Sequence, residues 1–234
     1  MPAKNIIKSY VPDGYYHVYN RGVNKADIFL DEKDYRVFLS YLATALTPKD
    51  EKKLKAMLLD GSRSYKDREE AAKLLRLKNF TGRIDLLAYV LMPNHFHFLL
   101  KQKEEADMTA FLQAVMTRFT MYENRRHKRV GPVFQGAYKA VLITDEEQLM
   151  HVSRYIHRNP FSLEGSHPWR LQPSSYPNYL GDIHQEWVKP AEILSYFSKA
   201  KTGFLSYKAF VEYENGDFEE QSMGRIQNVV LDVI

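Results

Sequence analysis

"RIDLLAYVLMPNHFHFLLKQK", Arg83 to Lys103, narrows the available folds more than any other segment. Two apolar runs of strand length flank Pro93-Asn94. That dipeptide is turn chemistry: Pro presets φ, and the Asn side chain can bond the nearby backbone. The segment therefore reads as two strands joined at a tight turn. Two histidines, His95 and His97, sit just beyond that turn in an otherwise apolar run.

The flanking segments supply the rest of a sheet. "GYYHVYNRGV" (Gly14 to Val23) is rich in Tyr and Val and bounded by glycines, as a first strand would be. Asp31 is placed to cap a helix in which Tyr35, Phe38, Leu39, Leu42 and Leu46 recur at helical spacing. Residues 47–82 are dense in charge and helix formers and break at Gly61-Ser62, which predicts two short solvated helices inserted between core elements. After the hairpin, Met108, Phe111, Leu112, Val115, Met116 and Phe119 stripe a helix from about Asp107 to Lys128. "AYKAVLIT" then gives a fourth strand.

The order β-α-(insertion)-β-β-α-β is the split βαβ pattern. It predicts an α+β, ferredoxin-like βαββαβ antiparallel sheet with helices on one face. Another helix opens at "TDEEQLMHVSRYIHRNP", where Thr144 and Glu147 have capping-box spacing. Pro160 stops it and disfavours helical geometry at Asn159. The expected organisation is a catalytic domain over 1–165, with the 47–82 insertion, and a C-terminal extension over 166–234 of weakly specified structure.

Composition excludes several function classes. There is no cysteine, so disulfides, thiolate zinc sites and a cysteine nucleophile are out. No apolar run approaches the ~18 residues of a membrane span, and the N-terminus lacks the apolar core of a signal peptide. A cytoplasmic location and no membrane partner are the expectations. The net charge of +4 permits a phosphate-bearing partner without requiring one.

On a strand, residues two apart share a face, so His95 and His97 project together while Phe96, Phe98 and Leu100 point the other way. Two readings stand: a shared metal, or two satisfied structural histidines. Tyr155 and Asn159 are four apart and share a helical face, offering a hydroxyl and a neutral amide oxygen. Packing of Tyr155 and a helix end at Asn159-Pro160 would account for that pair equally.

"MPNHFHFLL", "RYIHRNPFSLEG" and "YHVYNRGVNKADIF" resemble the three motif blocks of the single-tyrosine HUH transposases, more narrowly the REP-associated tyrosine transposases. The resemblance runs from about Tyr15 to Gly165, interrupted by the charged insertion. It implies a ferredoxin-like domain that binds hairpin-bearing single-stranded DNA, and cleaves and rejoins one strand through a 5′-phosphotyrosine. It implies Mg²⁺ or Mn²⁺ held by His95, His97 and Asn159, with Tyr155 as nucleophile, in a monomer or a homodimer. One departure is visible: in "FQGAYKA", Ala137 stands where the family commonly has Arg.

Further residues are candidates of other kinds. His151, four before Tyr155, is either a proton acceptor or a packed side chain. Arg21, Arg118, Arg125, Arg126, Lys128, Arg129, Tyr138 and Lys139 are candidates for phosphate contact and base stacking. For the Arg125–Arg129 cluster, complementing a helix C-terminus is the alternative. The competing functions are a non-catalytic nucleic-acid-binding protein of the same fold, an HUH replication initiator or relaxase, and a His-x-His metal hydrolase. The hydrolase would need acidic ligands that "MPNHFHFLL" lacks.

Overall fold

The computed structural model describes residues 10–162, 172–198, 203 and 205–228. The domain boundary expected at 165/166 lies outside them. Four strands form one fully antiparallel sheet: β1 (Tyr15–Arg21), β2 (Ile84–Met92), β3 (His95–Gln102) and β4 (Lys139–Ile143). Their spatial order is β2-β3-β1-β4, the order a βαββαβ chain gives when each helix carries the chain over a neighbouring strand.

The two helices of that unit are α1 (Glu32–Leu46) and α4 (Asp107–Arg126). Asp31 caps α1 by accepting from the backbone N–H groups of Lys33 and Asp34. Phe38 and Leu42 of α1 and Phe111, Val115 and Phe119 of α4 meet Phe96, Phe98 and Leu100 of β3 in one buried cluster. α4 ends at Arg126, and Lys128 takes a left-handed conformation just beyond it.

The charged segment forms two helices, α2 (Glu51–Leu59) and α3 (Tyr65–Arg76), which pack chiefly on each other. Its base is clamped to α1: Asn79 Nδ2 donates to the carbonyls of Thr47 and Thr44, and Thr81 Oγ1 donates to that of Leu46.

The other sheet face is covered too. α5 (Glu146–Arg158) lays Leu149, Val152 and Ile156 onto Ala88, Val90, Met92 and Leu99. A bulge between Leu86 and Ala88 turns both Leu87 and Ala88 toward this side. Around α5 pack α6 (Tyr176–Leu180), α7 (Ala191–Ser198), α8 (Tyr207–Glu212) and α9 (Gly216–Ile226). The segment expected to be weakly specified thus supplies much of a second core, because its Tyr and Phe side chains close over α5.

Two details of α5 differ from expectation. Asp145, not Thr144, is the N-cap: its carboxylate accepts from Gln148 N–H, while the Gln148 side chain accepts from Thr144 N–H. Both side chains are one residue along from the predicted pair. Asn159 also keeps helical angles (φ −51°, ψ −40°) despite Pro160, because the chain tightens into a 3-10 turn over Asn159–Ser162.

Buried imidazoles tie α5 to the C-terminal helices. His157 lies 2.7 Å from both Tyr207 Oη and Ser175 Oγ, and His151 Nδ1 lies 2.7 Å from Ser222 Oγ. Burial pushes their pKa values down to about 3 and about 4, from 6.5. From pH 6.5 downward the unfolded chain takes up protons that the folded chain refuses until about pH 4 and 3, so stability falls with pH across that window. Each histidine should remove about 2 kcal/mol by pH 5. Urea midpoints should drop between pH 7 and pH 5, and His157→Gln should flatten that slope; an unchanged slope would contradict the assignment.

Candidate active site

Register builds the site before any side chain is placed. On β1 and β3, Tyr19 pairs with His97 and Arg21 with His95. The Pro93-Asn94 turn is held by three backbone bonds: Gly22 N–H donates to the Asn94 carbonyl at 2.7 Å, and the N–H groups of Ile28 and Phe29 donate to that of Pro93 at 2.8 and 3.0 Å. Gly22 must be glycine, since a Cβ there would stand 2.0 Å from the Ala26 carbonyl oxygen. His95 therefore starts its strand from an anchored position.

His95 and His97 project on the face that carries α5. Their rings are 5.1 Å apart and nearly perpendicular, and the Tyr155 ring stands edge-on to His97 at 5.4 Å. His95 Nε2 is 3.2 Å from Asn159 Oδ1. The two histidines, the phenol and the amide expected to act together are thus neighbours at one end of the sheet. His97 is fully buried, and its Nε2 has no hydrogen-bond partner. Orphaned buried nitrogens are rare in native proteins and call for an explanation.

Burial depresses both imidazole pKa values, that of His97 strongly, with the neighbouring His17 and His95 adding to the effect. Both rings are neutral at pH 7, the state in which a nitrogen lone pair can ligate. Tyr155 moves the other way: burial pushes its phenol up to about 12, against a lowering hydrogen bond from Asn159.

A cleft of about 280 Å³ opens beside this group, lined by Tyr19, Asn20, Arg21, Lys25, Asn94, His95, His97, Gln135, Ala137 and Lys139. Of the basic and aromatic candidates, Arg21 and Lys139 line it; Arg21 Nε donates to Gln135 Oε1 at 2.6 Å. The others are not brought there. Arg118 stacks on Tyr41 at 4.0 Å. Arg126 clamps Asp31 and Asp34 of the α1 N-terminus. Arg125, Lys128 and Arg129 sit at the end of α4 or just past it. Tyr138 Oη bonds Tyr10 and Thr109. His151 faces Ser222, Phe210 and Phe218 rather than the cleft.

Sequence reasoning passed over His17 and Gln135, took Asn94 only as a turn residue, and had Lys25 only as part of the basic, aromatic segment "YNRGVNK". His17 Nε2 lies 2.9 Å from His97 Nδ1, with ring centroids 5.0 Å apart and the ring planes 15° from parallel. Alternation along "YYHVYNR" already put His17 on the Tyr19 face; that this face meets His97 needed the strand register. Ala137, in place of the family's Arg, leaves that edge of the cleft to Arg21, Lys25 and Lys139.

A second cluster lies on the opposite sheet face. Ligand atoms of Asp34, Glu123 and His127 all fall within 4.8 Å of one another, the one such group of three His, Asp or Glu among the described residues. Burial, then the Asp34 charge, raises Glu123 to about 8, so it is mostly protonated at pH 7. Asp34 is already engaged by Arg126, Tyr122 and Leu30 N–H, which makes the cluster a clip between α1 and α4 as it stands.

Comparisons follow the same lines. The family model described as "Transposase IS200 like" matches residues 62–159, a stretch that contains His95, His97, Tyr155 and Asn159. A solved structure of a REP-associated tyrosine transposase bound to a REP hairpin superposes with a TM-score of 0.50 at 13% identity, covering 80% of this chain and 97% of the other. A second, a proposed transposase from Deinococcus radiodurans R1, gives 14% identity, 68% and 96% coverage and a TM-score of 0.26, too low to bear on the fold. No curated protein matches. In sequence over residues 62–159, and in its four-stranded antiparallel fold, this chain is similar to the IS200-like, REP-associated tyrosine transposases.

Proposed function

We propose that this chain is a metal-dependent transposase that cuts and rejoins hairpin-bearing single-stranded DNA through a 5′-phosphotyrosine on Tyr155. The observation that carries the reading is the convergence of Tyr155, His95, His97 and Asn159, with His97 Nε2 buried and unpartnered.

A divalent cation fits this donor set. Two neutral imidazoles and an amide lie together at one end of the sheet, with His95 Nε2 3.2 Å from Asn159 Oδ1, and the orphaned His97 nitrogen would gain a partner from a cation. Imidazole is a softer donor than the oxygens Mg²⁺ prefers, which makes Mn²⁺ the better probe. When bound, the ion polarises the scissile phosphate and offsets its charge.

The chain's own residues do the rest. Tyr155 Oη attacks phosphorus; the Oη–P bond forms, the P–O3′ bond breaks, the phenol loses its proton and the departing 3′-oxygen gains one. A phenol is protonated at neutral pH, and burial, which pushes this one up to about 12, makes loss of the proton harder, so it must leave as the Oη–P bond forms. Asn159, hydrogen-bonded to Tyr155 and with its Oδ1 3.2 Å from His95 Nε2, ties the nucleophile to the ligand set. Arg21, Lys25 and Lys139 line the cleft beside them with positive charge for the flanking phosphates. One phosphodiester replaces another, so a second strand's 3′-OH can reverse the step and join.

The test is adduct formation. Purified protein with Mn²⁺ and single-stranded hairpin oligonucleotides drawn from repeats flanking its gene should give a covalent protein–DNA band on a denaturing gel. The same oligonucleotides fully paired to complements, or EDTA, should prevent it. Hairpin binding with no adduct in Mn²⁺ would overturn the enzymatic reading in favour of a binding protein.

A further inference from the structure

Each imidazole of the His-x-His pair has its inner nitrogen engaged by a side chain the proposed chemistry does not use. His95 Nδ1 lies 2.6 Å from Asn94 Oδ1, and His97 Nδ1 lies 2.9 Å from His17 Nε2. The Asn94 amide has a fixed orientation, because its Nδ2 donates to the Lys25 carbonyl at 3.3 Å. Its oxygen therefore faces His95 Nδ1 as an acceptor at 2.6 Å, closer than Asn159 Oδ1 stands to Nε2 at 3.2 Å, so the ring's one proton belongs on Nδ1 and the Nε2–Oδ1 approach is that of two lone-pair donors side by side. A neutral imidazole with its proton on Nδ1 has a lone pair on Nε2, the nitrogen directed at Asn159.

The same logic bears on His97. A bond between two neutral imidazoles runs one of two ways. If His17 donates, His97 carries its proton on Nε2, leaving a fully buried N–H with no acceptor. If His97 Nδ1 donates, Nε2 presents a bare lone pair toward the cleft, as His95 does. Only the second arrangement makes both Nε2 atoms ligands at once. Ligating histidines ordinarily give their other ring proton to a fixed acceptor, which sets the tautomer and raises donor strength.

We propose that His17 is a positioning residue for metal binding: its Nε2 accepts the Nδ1 proton of His97 and holds that ring with Nε2 free to ligate, as Asn94 does for His95. The proposal rests on His95 and His97 being the metal ligands. His17 suits the part by its place in the fold. It is fully buried on an interior strand, paired with Leu99 across β3 and Val141 across β4, and its ring plane is 15° from parallel with that of His97, as an in-plane hydrogen bond allows. In this role it touches neither substrate nor metal and acts through His97; its ring also meets those of Tyr19 and Tyr155, which is why the metal titration rather than activity reads its effect.

Two measurements test it. In metal-free protein labelled with ¹⁵N-histidine, long-range ¹H–¹⁵N spectra should show His97 as the Nδ1–H tautomer; the Nε2–H tautomer would overturn the proposal. Titration with Mn²⁺ alone, followed by the loss of free-ion EPR signal, gives affinities without reference to DNA. His17→Phe keeps a buried ring but no acceptor, and should weaken Mn²⁺ binding by roughly 10–100-fold, the usual effect of losing such a partner. His17→Gln retains an acceptor oxygen and should recover most of the affinity. Near-UV circular dichroism of each variant establishes that it is folded, and His17→Gln stands as the test if His17→Phe is not. Wild-type affinity in folded His17→Phe, or no recovery in folded His17→Gln, would overturn the proposal while leaving the ligands intact. Mn²⁺ binding that persists undiminished in His97→Ala would instead overturn the ligand assignment, and this proposal with it.

Discussion

Tyr155→Phe should eliminate the covalent DNA adduct, a loss on the order of 10³-fold or more, while hairpin binding and Mn²⁺ affinity stay near wild type. The phenol oxygen is the only atom removed. The ring that packs against His97 and His17 remains, so the surroundings of both imidazoles are kept. Stability should change little, because Tyr155 is partly exposed and its hydroxyl loses only the bond to Asn159. Denaturing gels read the adduct, gel-shift titrations read binding, and the two should separate cleanly. An adduct that persists in Tyr155→Phe would assign the nucleophile to another residue. Equal loss of adduct and binding would make Tyr155 a DNA-contact residue rather than the attacking group.

Arg154→Met should cost about 3 kcal/mol of stability, near the lower end of what breaking a buried ion pair costs. Arg154 is 2% exposed and joins three elements: Nε donates to the Phe210 carbonyl, Nη2 to the Tyr213 carbonyl, and Nη1 and Nη2 to the Glu219 carboxylate. The guanidinium also holds Glu219 below its ordinary carboxylate range. Methionine fills part of the space but takes the guanidinium donor away from the Phe210 and Tyr213 carbonyls. Glu219 is partly exposed and recovers some hydration, which keeps the figure from running higher. Urea denaturation at pH 7 measures it. Because Arg154 adjoins Tyr155 on α5, adduct formation should also slow as the helix loses its brace. A variant as stable as wild type would show that the C-terminal helices do not hold α5.

The strands and the first two core helices were legible because their signals are local. A Pro-Asn turn between apolar runs, an Asp before a periodic helix and a Tyr- and Val-rich run bounded by glycines each act within a few residues. The same-face placement of His95 and His97, and of Tyr155 with Asn159, followed from period alone. What brings the two pairs together is the strand order with α5 on the second face, and that is a long-range fact. His17 was missed for this reason: its partner is 80 residues away and is reached only through the β1–β3 register.

The basic residues failed in a different way. Arg118 and Arg126 have the composition of a nucleic-acid surface, but whether a guanidinium meets solvent, a Tyr ring or a carboxylate depends on packing that charge does not encode. The C-terminal helices were hard to read because they are short, and their apolar residues are aromatics shared among several partners rather than one clear stripe.

The clamp at the root of the charged hairpin has an architectural meaning. Where Asn79 and Thr81 grip the end of α1, the chain leaves the sheet and returns to it at nearly one point. The segment between those ends lines none of the cleft, so changes of length at the exposed Gly61-Ser62 break of residues 50–76 should leave the strands in register. Evolution and the protein engineer are offered the same socket there, on a scaffold whose chemistry is fixed elsewhere.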